Sequence, residues 1–426
     1  MIKIKKLEII FMIVMLILSS GSIFNILGIN NLIQITLFMV VFIISIKSGF
    51  LKNKNYFTIL ILTLLSVLIL FLFHAANYRE LSNFYNNNNI GIFLLIFNCL
   101  LVGFYFNSKP NFLFYLNSIL FFFTLHGIIS CVIISLFPTQ NVLFSSDDEG
   151  ARYVGYFYVF FQRTHVNYFG NLNPTFINFF GFPIQRAHGL AWEPGNFSAY
   201  VNIFIFLNLF IFKNRRNVII GVLALVLAWS TNGFLVMLLQ FFYFFIVNFK
   251  NFSKKYIIPK IVIGSLVLYV LVIATMNNLD EKIYGDKSGS GAARFLNTVS
   301  AIYTIYEHPF IGTGFYAENY FIEINKSLLN SKSSLSSYVD SEKLTSVSST
   351  NSFLRLYVQF GIPIALILTI VLFKQTLIPR YKFIFALIII VSTSSAPLML
   401  TPFYFLFMIS GFLNLVGVKN RHKILL

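Results

Sequence analysis

Long apolar runs, separated by short polar clusters, follow one another along most of the chain. A bilayer core about 30 Å thick requires about 20 mostly apolar residues of a spanning helix, and the runs have about this length. The pattern predicts an all-α polytopic integral membrane protein with about 12 transmembrane helices. The predicted spans are 7–29, 32–51, 56–74, 90–107, 112–137, 187–212, 217–231, 233–249, 256–276, 351–373, 381–395 and 398–418.

Composition agrees with this pattern. The 426 residues are 57% hydrophobic and only 11% charged, whereas an average soluble domain carries about 25% charged residues. The difference excludes an ordinary soluble protein. Cys99 and Cys131 both lie inside apolar runs, where a thiol is usually a small buried group and not half of a disulfide.

The net charge of +17 is unevenly distributed along the chain. If the N-terminus is cytoplasmic, the two termini and the alternate connections on the same side carry 20 of the 31 basic residues and one acidic residue, Glu8. Because cytoplasmic connections are enriched in Lys and Arg, the charge reports topology and gives no reason to expect a nucleic-acid partner. It predicts a multi-pass protein of the cytoplasmic (inner) membrane with both termini in the cytoplasm.

Two connections, 138–185 and 277–350, are long, and both are exoplasmic in this topology. The first is rich in aromatic residues and asparagine, which favours a folded cap over a disordered linker. The second contains an amphipathic helix, 291–306, placed at the membrane interface, and a serine-rich segment, 327–350. The sequence therefore predicts one transmembrane domain, 1–426, whose site faces the periplasm or exterior.

Charged residues in or beside apolar runs point to chemistry, because a charge at the bilayer centre costs at least about 2.5 kcal/mol on insertion scales. In RAHGLAWEPGNFSAY, Glu193 precedes Pro194, whose ring is expected to interrupt the helical ladder, and Arg186 lies upstream. Both also have structural interpretations, Glu193 as half of an ion pair and Arg186 as an interfacial anchor.

The segment RFLNTVSAIYTIYEHPFIGTGF combines a guanidinium, at Arg294, with the amphipathic helix. His308 precedes a proline at the predicted helix end, and a flexible turn is expected at Gly312 and Gly314. A helix cap is the structural alternative for His308.

The segment STNSFLRLYVQFG opens the next predicted span. Asn351, Arg355 and Gln359 recur every four residues and predict a polar stripe on one helical face. Arg355 could instead extend to the interface. The sequence contains no Cys/His cluster, HExxH, DxD or Walker-type loop, so neither a metal nor a nucleotide is expected.

These segments, with STNG at 230–233, resemble the O-antigen polymerase and O-antigen ligase superfamily, and most closely the Wzy-type polymerases. The resemblance covers about residues 180–375. The matching positions are Arg186, Gly189, Glu193 and Pro194, then Arg294, His308, Pro309, Gly312 and Gly314, then Asn351, Ser352, Leu354 and Gly361.

The resemblance implies a glycosyltransferase C-like membrane fold and a polymerase that joins undecaprenyl-diphosphate-linked oligosaccharide repeat units into O-antigen, capsule or exopolysaccharide. It implies no cofactor, and neither a metal nor a nucleotide sugar. The implied partners are the lipid-linked oligosaccharide, membrane lipids, a chain-length regulator and a flippase. The sequence departs from the ligases at Thr350, where they and many polymerases have histidine.

The chemistry of the proposed reaction assigns a task to each polar residue. Guanidinium groups at Arg186, Arg294 and Arg355 would meet the charge of a diphosphate leaving group. The acceptor hydroxyl needs a base, for which Glu193 is the first candidate and His308 the second. The predicted catalytic residues are Glu193, Arg186, Arg294 and His308, and the predicted substrate-binding residues are Arg355, Asn351, Gly312 and Gly314.

Two alternatives stay open at this point. A ligase of the same superfamily would move finished glycan to another acceptor. A lipid-linked oligosaccharide flippase or transporter would use intramembrane Glu and Arg along a substrate pathway, although the sequence shows no similarity between its two halves.

Overall fold

The computed structural model describes most of the chain, with gaps at several connections. The described residues are 2–22, 24, 29–47, 54–77, 87–107, 111–136, 142–145, 151–156, 160–166, 172–174, 176–179, 182–191, 193–248, 288–314 and 351–417. The predicted span 256–276 and the serine-rich segment 327–350 lie outside them.

The described residues are mostly helical, and they form an integral membrane protein. They contain α1 (Ile2–Leu18), α2 (Asn30–Lys47), α3 (Lys54–Asn77), α4 (Asn87–Asn107), α5 (Phe112–Leu136), α6 (Pro194–Phe206), α7 (Arg215–Ala228), α8 (Thr231–Asn248), α9 (Ser288–Glu307), α10 (Ser352–Phe373), α11 (Lys382–Thr393) and α12 (Pro402–Leu415). A π-helix, Leu207–Ile211, continues α6.

Five helical segments in the described part of the chain are long and apolar enough to cross a membrane. They are Asn30–Lys47, Phe112–Leu136, Pro194–Ile211, Thr231–Asn248 and Ser352–Phe373. The prediction of a helical membrane protein is confirmed at this level, and the number of spans and the placement of the loops stay predictions.

The first helix is shorter than its predicted span, 7–29. It ends at Leu18, where the hydroxyls of Ser19 and Ser20 donate to the carbonyl of Leu16. Gly21 then adopts a φ of 73°. The short polar segment SSGS at 19–22 marks this end, but the mostly apolar residues that follow it up to position 29 extended the predicted span.

Six short strands lie between α5 and α6, and the predicted all-α class does not include them. The strands β1 (Val142–Ser145), β2 (Ala151–Tyr156), β3 (Phe160–Val166) and β4 (Leu172–Pro174) form an antiparallel sheet in sequential order. A hairpin of β5 (Phe176–Phe179) and β6 (Phe182–Gln185) follows. Aromatic and β-branched residues, which favour strands, dominate this segment.

The core is centred on α6 and α12, which are the most completely buried helices of the described part. Every residue of α12 from Pro402 to Gly411 is buried. Aromatic rings join the two helices and their neighbours, with centroids 5.3 Å apart for Tyr200 and Phe403 and 4.9 Å apart for Phe385 and Phe407. Lipid tails are as apolar as these side chains, so the hydrophobic effect does not drive the helices together within the bilayer. Close van der Waals packing of this kind stabilises their contact instead.

We predict that Gly411→Ala destabilises the contact between α10 and α12. A Cβ at Gly411 would overlap the carbonyl oxygen of Val371, and overpacking of this kind costs about 1–3 kcal/mol. The melting temperature of the purified protein in detergent should fall accordingly. Gly103→Ala is the control, since the nearest atoms to its Cβ belong to side chains and not to backbone, those of Leu413 (3.1 Å), Ile409 (3.2 Å) and Leu406 (3.8 Å). Equal melting temperatures for the two variants would contradict the close approach.

Candidate functional site

Three of the helices that carry the sequence motifs, α6, α8 and α10, begin at one end of the bundle, around the turn that joins α11 to α12 (residues 394–401). The side-chain amide of Asn232, in the first turn of α8, donates to the carbonyls of Val391 (2.9 Å) and Ser392 (3.2 Å). These carbonyls lie in the last turn of α11, where the helix itself supplies no donor. The start of α8 is thereby held against the end of α11.

Ser352 fixes the start of α10 to the same turn. Its Oγ lies 2.9 Å from the carbonyl oxygen of Thr393 and 2.7 Å from that of Ala396. The backbone N–H groups of Leu398 and Met399 both donate to this oxygen, at 3.1 and 3.0 Å. One buried hydroxyl thus satisfies backbone groups from both sides of the turn.

The end of α1 reaches the same region. The N–H of Phe403, in the first turn of α12, donates to Ser20 Oγ at 2.9 Å, and the hydroxyl of Tyr200 donates to the carbonyl of Ser20. The side-chain amide of Asn196, in the first turn of α6, donates to the carbonyl of Gly21 at 3.4 Å. The starts of α6, α8, α10 and α12 therefore surround one turn.

Glu193 is the N-cap residue of α6 and is half-buried. The expectation that Pro194 interrupts a helix is wrong: Pro194 occupies the first position of α6, where its missing N–H would have no helical partner. The carboxylate lies over Gly195, with Oε1 3.3 Å from where a Cβ would stand. A negative charge is favourable at this end of a helix, so the position is suited to a carboxylate.

Arg186 binds the C-terminal end of α7. Its Nε donates to the carbonyl of Ala228 and its Nη2 to that of Trp229, both at 3.0 Å. The N–H of Ala187 donates to the carbonyl of Leu227 at 2.9 Å. A cation is favourable at a helix C-terminus, and the segment beginning at Arg186 supplies donors to three successive carbonyls there.

A buried polar network links the Glu193 end of α6 to the STNG segment. Ser198 Oγ lies 2.7 Å from the carbonyl oxygen of Gly195 and 3.2 Å from Ser230 Oγ. One helical turn further, the amide of Gln240 donates to Asn202 Oδ1 at 3.0 Å. The network therefore connects the first turns of α6, after Glu193, to Ser230, which follows the Trp229 whose carbonyl Arg186 binds.

The turn after α9 is inserted into a break in α10. In an unbroken helix the N–H of Ile362 would donate to the carbonyl of Val358. Here it donates to the carbonyl of Pro309 at 2.7 Å, and the Val358 carbonyl accepts instead from the N–H of Thr313 at 2.8 Å. The turn after His308 thus replaces one helical hydrogen bond with two hydrogen bonds of its own.

Two glycines make this insertion possible. Gly312 and Gly361 have φ values of 74° and 72°, and each lies against the backbone of the other segment. A Cβ on Gly312 would lie 2.6 Å from the backbone N of Gly361, and one on Gly361 would lie 2.7 Å from the N of Ile311. Pro363 lacks an N–H and so also favours the break. The flexible turn expected at Gly312 and Gly314 is instead closely packed.

Asn351 and Arg355 lie at the start of α10. Asn351 is the N-cap residue, and its Oδ1 accepts from the N–H of Leu354 at 3.1 Å, which is the usual bond of an asparagine cap. Arg355 is half-buried one turn later. Asn351 therefore has a structural task besides any contact with substrate.

The helix predicted at 291–306 lies within α9, which packs against α10 with its polar face. The exposed residues of its second half are apolar or aromatic, except for Glu307 at its end. The buried residues of this half are Asn297, Ser300, Ala301 and Thr304. The exposed large side chains are Ile302, Tyr303 and Tyr306. A small and polar face toward a neighbouring helix is typical of membrane helix pairs. On the exposed face, a hydrogen bond to Glu307 raises the pKa of Tyr303.

The structure places the predicted site residues in two groups. Arg186 binds the carbonyl of Trp229, and the next residue, Ser230, is hydrogen-bonded to Ser198 of α6, the helix that Glu193 precedes. His308 and Gly312 lie against the middle of α10, beyond Asn351 and Arg355. Arg294 lies on α9 in the part of the helix whose side chains the structure does not describe. Both groups connect to α11 and its following turn, the first through Asn232 and the second through Ser352.

Three residues that organise the site were not among the predicted site residues: Asn232, Ser198 and Ser352. Asn232 and Ser352 lie inside the segments that carry the resemblance, STNG and TNSFLRLYVQFG, and this was a usable signal. Ser198 had none, because a serine in an apolar run most often bonds to its own helix. Among the described residues, no three or more His, Cys, Asp or Glu side chains are grouped to hold a metal ion.

A family model described as O-antigen ligase matches residues 217–369. The matched region includes the STNG segment, the turn after α9 and the start of α10, and it begins after Arg186 and Glu193. No curated protein and no solved structure matches the chain. The match supports the O-antigen ligase and polymerase superfamily, and with it a transferase-like function in polysaccharide biosynthesis.

We predict that Gly312→Ala and Gly361→Ala each lower the melting temperature strongly. Each adds a backbone penalty for its positive φ, about 1–3 kcal/mol, and a steric overlap with the other segment. Gly417→Ala is the matched control, because Gly417 has a φ of 85° with nothing within 4 Å of its added Cβ. It should show the backbone penalty alone. If Gly417→Ala lowered the melting temperature as much as the other two variants, the steric overlap between the turn after α9 and α10 would not contribute to their loss of stability.

Proposed function

We propose that this protein is a glycosyltransferase that polymerises undecaprenyl-diphosphate-linked oligosaccharide repeat units on the outer side of the cytoplasmic membrane. The observation that carries the proposal is the match of residues 217–369 to the O-antigen ligase family. It supports a lipid-linked oligosaccharide as substrate. The arrangement of helix ends around the 394–401 turn supports the same chemistry.

The reaction releases a lipid diphosphate, so the site must favour negative charge. Four helices, α6, α8, α10 and α12, begin around the turn, and a helix N-terminus carries a partial positive charge of about half a unit. Arg186 and Arg355 lie near these ends, and we assign Arg294 to the same task. Guanidinium groups suit phosphate oxygens because they are planar, multidentate and permanently charged.

The acceptor is a sugar hydroxyl of the incoming repeat unit. Its oxygen forms a bond to the anomeric carbon of the growing glycan, and the bond from that carbon to the diphosphate oxygen breaks. We assign the hydroxyl proton to Glu193 and the negative charge of the released undecaprenyl diphosphate to the arginines. His308 is the second candidate for the base, held in place by the insertion of its turn into α10.

A ligase of the same superfamily is the second candidate function, since the matching family model is itself described as O-antigen ligase. Thr350 argues against a ligase-type catalytic histidine at that position, but many polymerases also have histidine there, so the residue does not separate the two functions. A flippase or transporter is a third outcome that the following experiment distinguishes.

We predict that Glu193→Gln, Arg186→Ala and Arg294→Ala abolish chain elongation. In a deletion strain complemented with each variant, gels of surface glycan should show a single repeat unit in place of the ladder restored by the wild-type protein. Glu8→Gln is the matched control for Glu193→Gln: Glu8 is a half-buried carboxylate hydrogen-bonded to Tyr105 on α4, away from the site, and should leave the ladder unchanged. Expression must be verified for each variant.

Other outcomes would redirect the proposal. An unchanged ladder in all three variants would remove these residues from the site. Full-length glycan retained on the carrier in the deletion strain would indicate a ligase, and repeat units retained inside the cell would indicate a flippase.

Arg186 needs a separate measurement, because it also binds the end of α7. Arg186→Ala leaves two carbonyls without their donors and should lower the free energy of unfolding by about 1–3 kcal/mol. Arg186→Lys keeps the charge but lacks the planar fork. If Arg186→Lys has the wild-type melting temperature but gives no ladder, the guanidinium of Arg186 acts in the reaction. If it has both, a positive charge at this position is sufficient for stability and for chain elongation. No loss of stability in Arg186→Ala would contradict the capping contact.

A further inference from the structure

A buried asparagine in the middle of α9 has an unpaired side chain. Asn297 is 1% exposed, and both its Oδ1 and its Nδ2 are buried without a hydrogen-bond partner among the residues that the structure describes. In each other buried amide of the described part that has an unpartnered buried atom, this atom is the oxygen alone. An unpaired buried donor or acceptor lowers stability, and native structures contain few of them.

Other polar side chains in comparable places do find partners. The hydroxyl of Thr304, on the same buried face of α9, donates to the carbonyl of Ser300 at 2.8 Å. The amides of Asn202 and Asn208, buried in α6 and its π-helical continuation, each donate to the carbonyl four residues earlier at 2.9 Å. Asn297 makes no such bond, so its amide is oriented away from its own helix and has both its donor and its acceptor free for a ligand.

Asn297 lies at the level of the start of α10. The turn after α9 is bonded to α10 at Val358 and Ile362, and Ala301 packs in one cluster with Val358 and Leu354. The two helices are therefore antiparallel, and positions earlier in α9 lie nearer to the start of α10. One turn before Ala301, Asn297 comes level with the first turn of α10.

Two arginines that we assign to the diphosphate belong to the same two segments. Arg294 precedes Asn297 by three residues in α9, and Arg355 lies one turn after the N-cap of α10. In a lipid-linked oligosaccharide the first sugar is bonded directly to the diphosphate, so its hydroxyls lie close to the phosphate oxygens. A fully ionised diphosphate only accepts hydrogen bonds, whereas a hydroxyl both donates and accepts. An amide with both atoms unpaired is suited to hydroxyls.

We propose that Asn297 binds hydroxyl groups of the sugar attached to the diphosphate, with Oδ1 accepting from one hydroxyl and Nδ2 donating to a hydroxyl oxygen. The inference rests on the proposed function and names the part of the substrate that α9 recognises. The contact with α10 covers the amide, so the sugar enters when α9 separates from the start of α10. The interlocked turn at Gly312 and Gly361 fixes the other end of α9, so the separation is a pivot about that end.

The test replaces the amide by apolar side chains. Asn297→Leu keeps a similar volume and removes the unpaired groups, so the melting temperature in detergent should rise by about 2 °C. The assay elongates the lipid-linked repeat unit extracted from the deletion strain. With two hydrogen bonds lost, kcat/KM should fall about 100-fold, mainly through KM, at about tenfold for each bond. Asn297→Ala leaves space for the sugar and should show the same fall.

Gln34→Leu is the matched control. Gln34 is buried and its Oε1 is unpartnered among the described residues, but it lies on α2, which packs against α1 and α4. This variant should raise the melting temperature in the same way and leave kcat/KM unchanged. An equal fall in kcat/KM for Gln34→Leu and Asn297→Leu would show a general effect on the bundle and overturn the inference.

Three further outcomes would also overturn it. A lower melting temperature for Asn297→Leu with unchanged kcat/KM would show that the amide holds a trapped water, which has the same hydrogen-bonding groups as a hydroxyl. Wild-type kcat/KM for Asn297→Ala would show that only the bulk of leucine matters. If the wild-type protein elongates the units and Arg294→Ala does not, activity in both Asn297 variants removes this inference alone, whereas an inactive wild-type protein removes the proposed function as well.

Discussion

Backbone groups at helix ends must find hydrogen-bond partners inside this protein, because an apolar environment supplies none. The structure meets this constraint at one end of the bundle with side chains and turns from distant parts of the sequence. Arg186 binds the last carbonyls of α7, Asn232 those of α11, and Ser352 both sides of the 394–401 turn. The turn after His308 supplies both partners that the break in α10 requires. The position of every motif-bearing segment depends on these contacts.

The same contacts give each motif residue two possible tasks. Arg186 caps a helix and is also proposed to meet diphosphate charge, and Asn351 caps α10 beside the half-buried Arg355. A polar residue that is already held by the scaffold loses little conformational freedom when substrate binds, which is the usual requirement for an effective site. This is why loss of activity in an alanine variant must be read together with its melting temperature.

The two ends of α6 differ in their surroundings. Its start follows Glu193 and is one of four helix N-termini around a buried turn. Its other end continues through the π-helix Leu207–Ile211 into the exposed residues Lys213, Arg215 and Arg216. Short π-helices are common at functional sites. The helix is buried almost throughout, so it holds the two ends at a fixed separation.

The sequence alone determined the helical membrane class, since hydropathy over about 20 residues reports the solvent that a segment must occupy. It also identified four segments with polar residues in or beside apolar runs, RAHGLAWEPG, STNG, EHPFIGTG and TNSFLRL. Tertiary structure alone decided that Pro194 starts a helix, that Gly312 and Gly361 interlock, that residues 142–185 contain strands, and that Ser352 holds the 394–401 turn. These features depend on backbone groups from segments tens to hundreds of residues apart, and a linear pattern of side chains does not encode which of those groups meet.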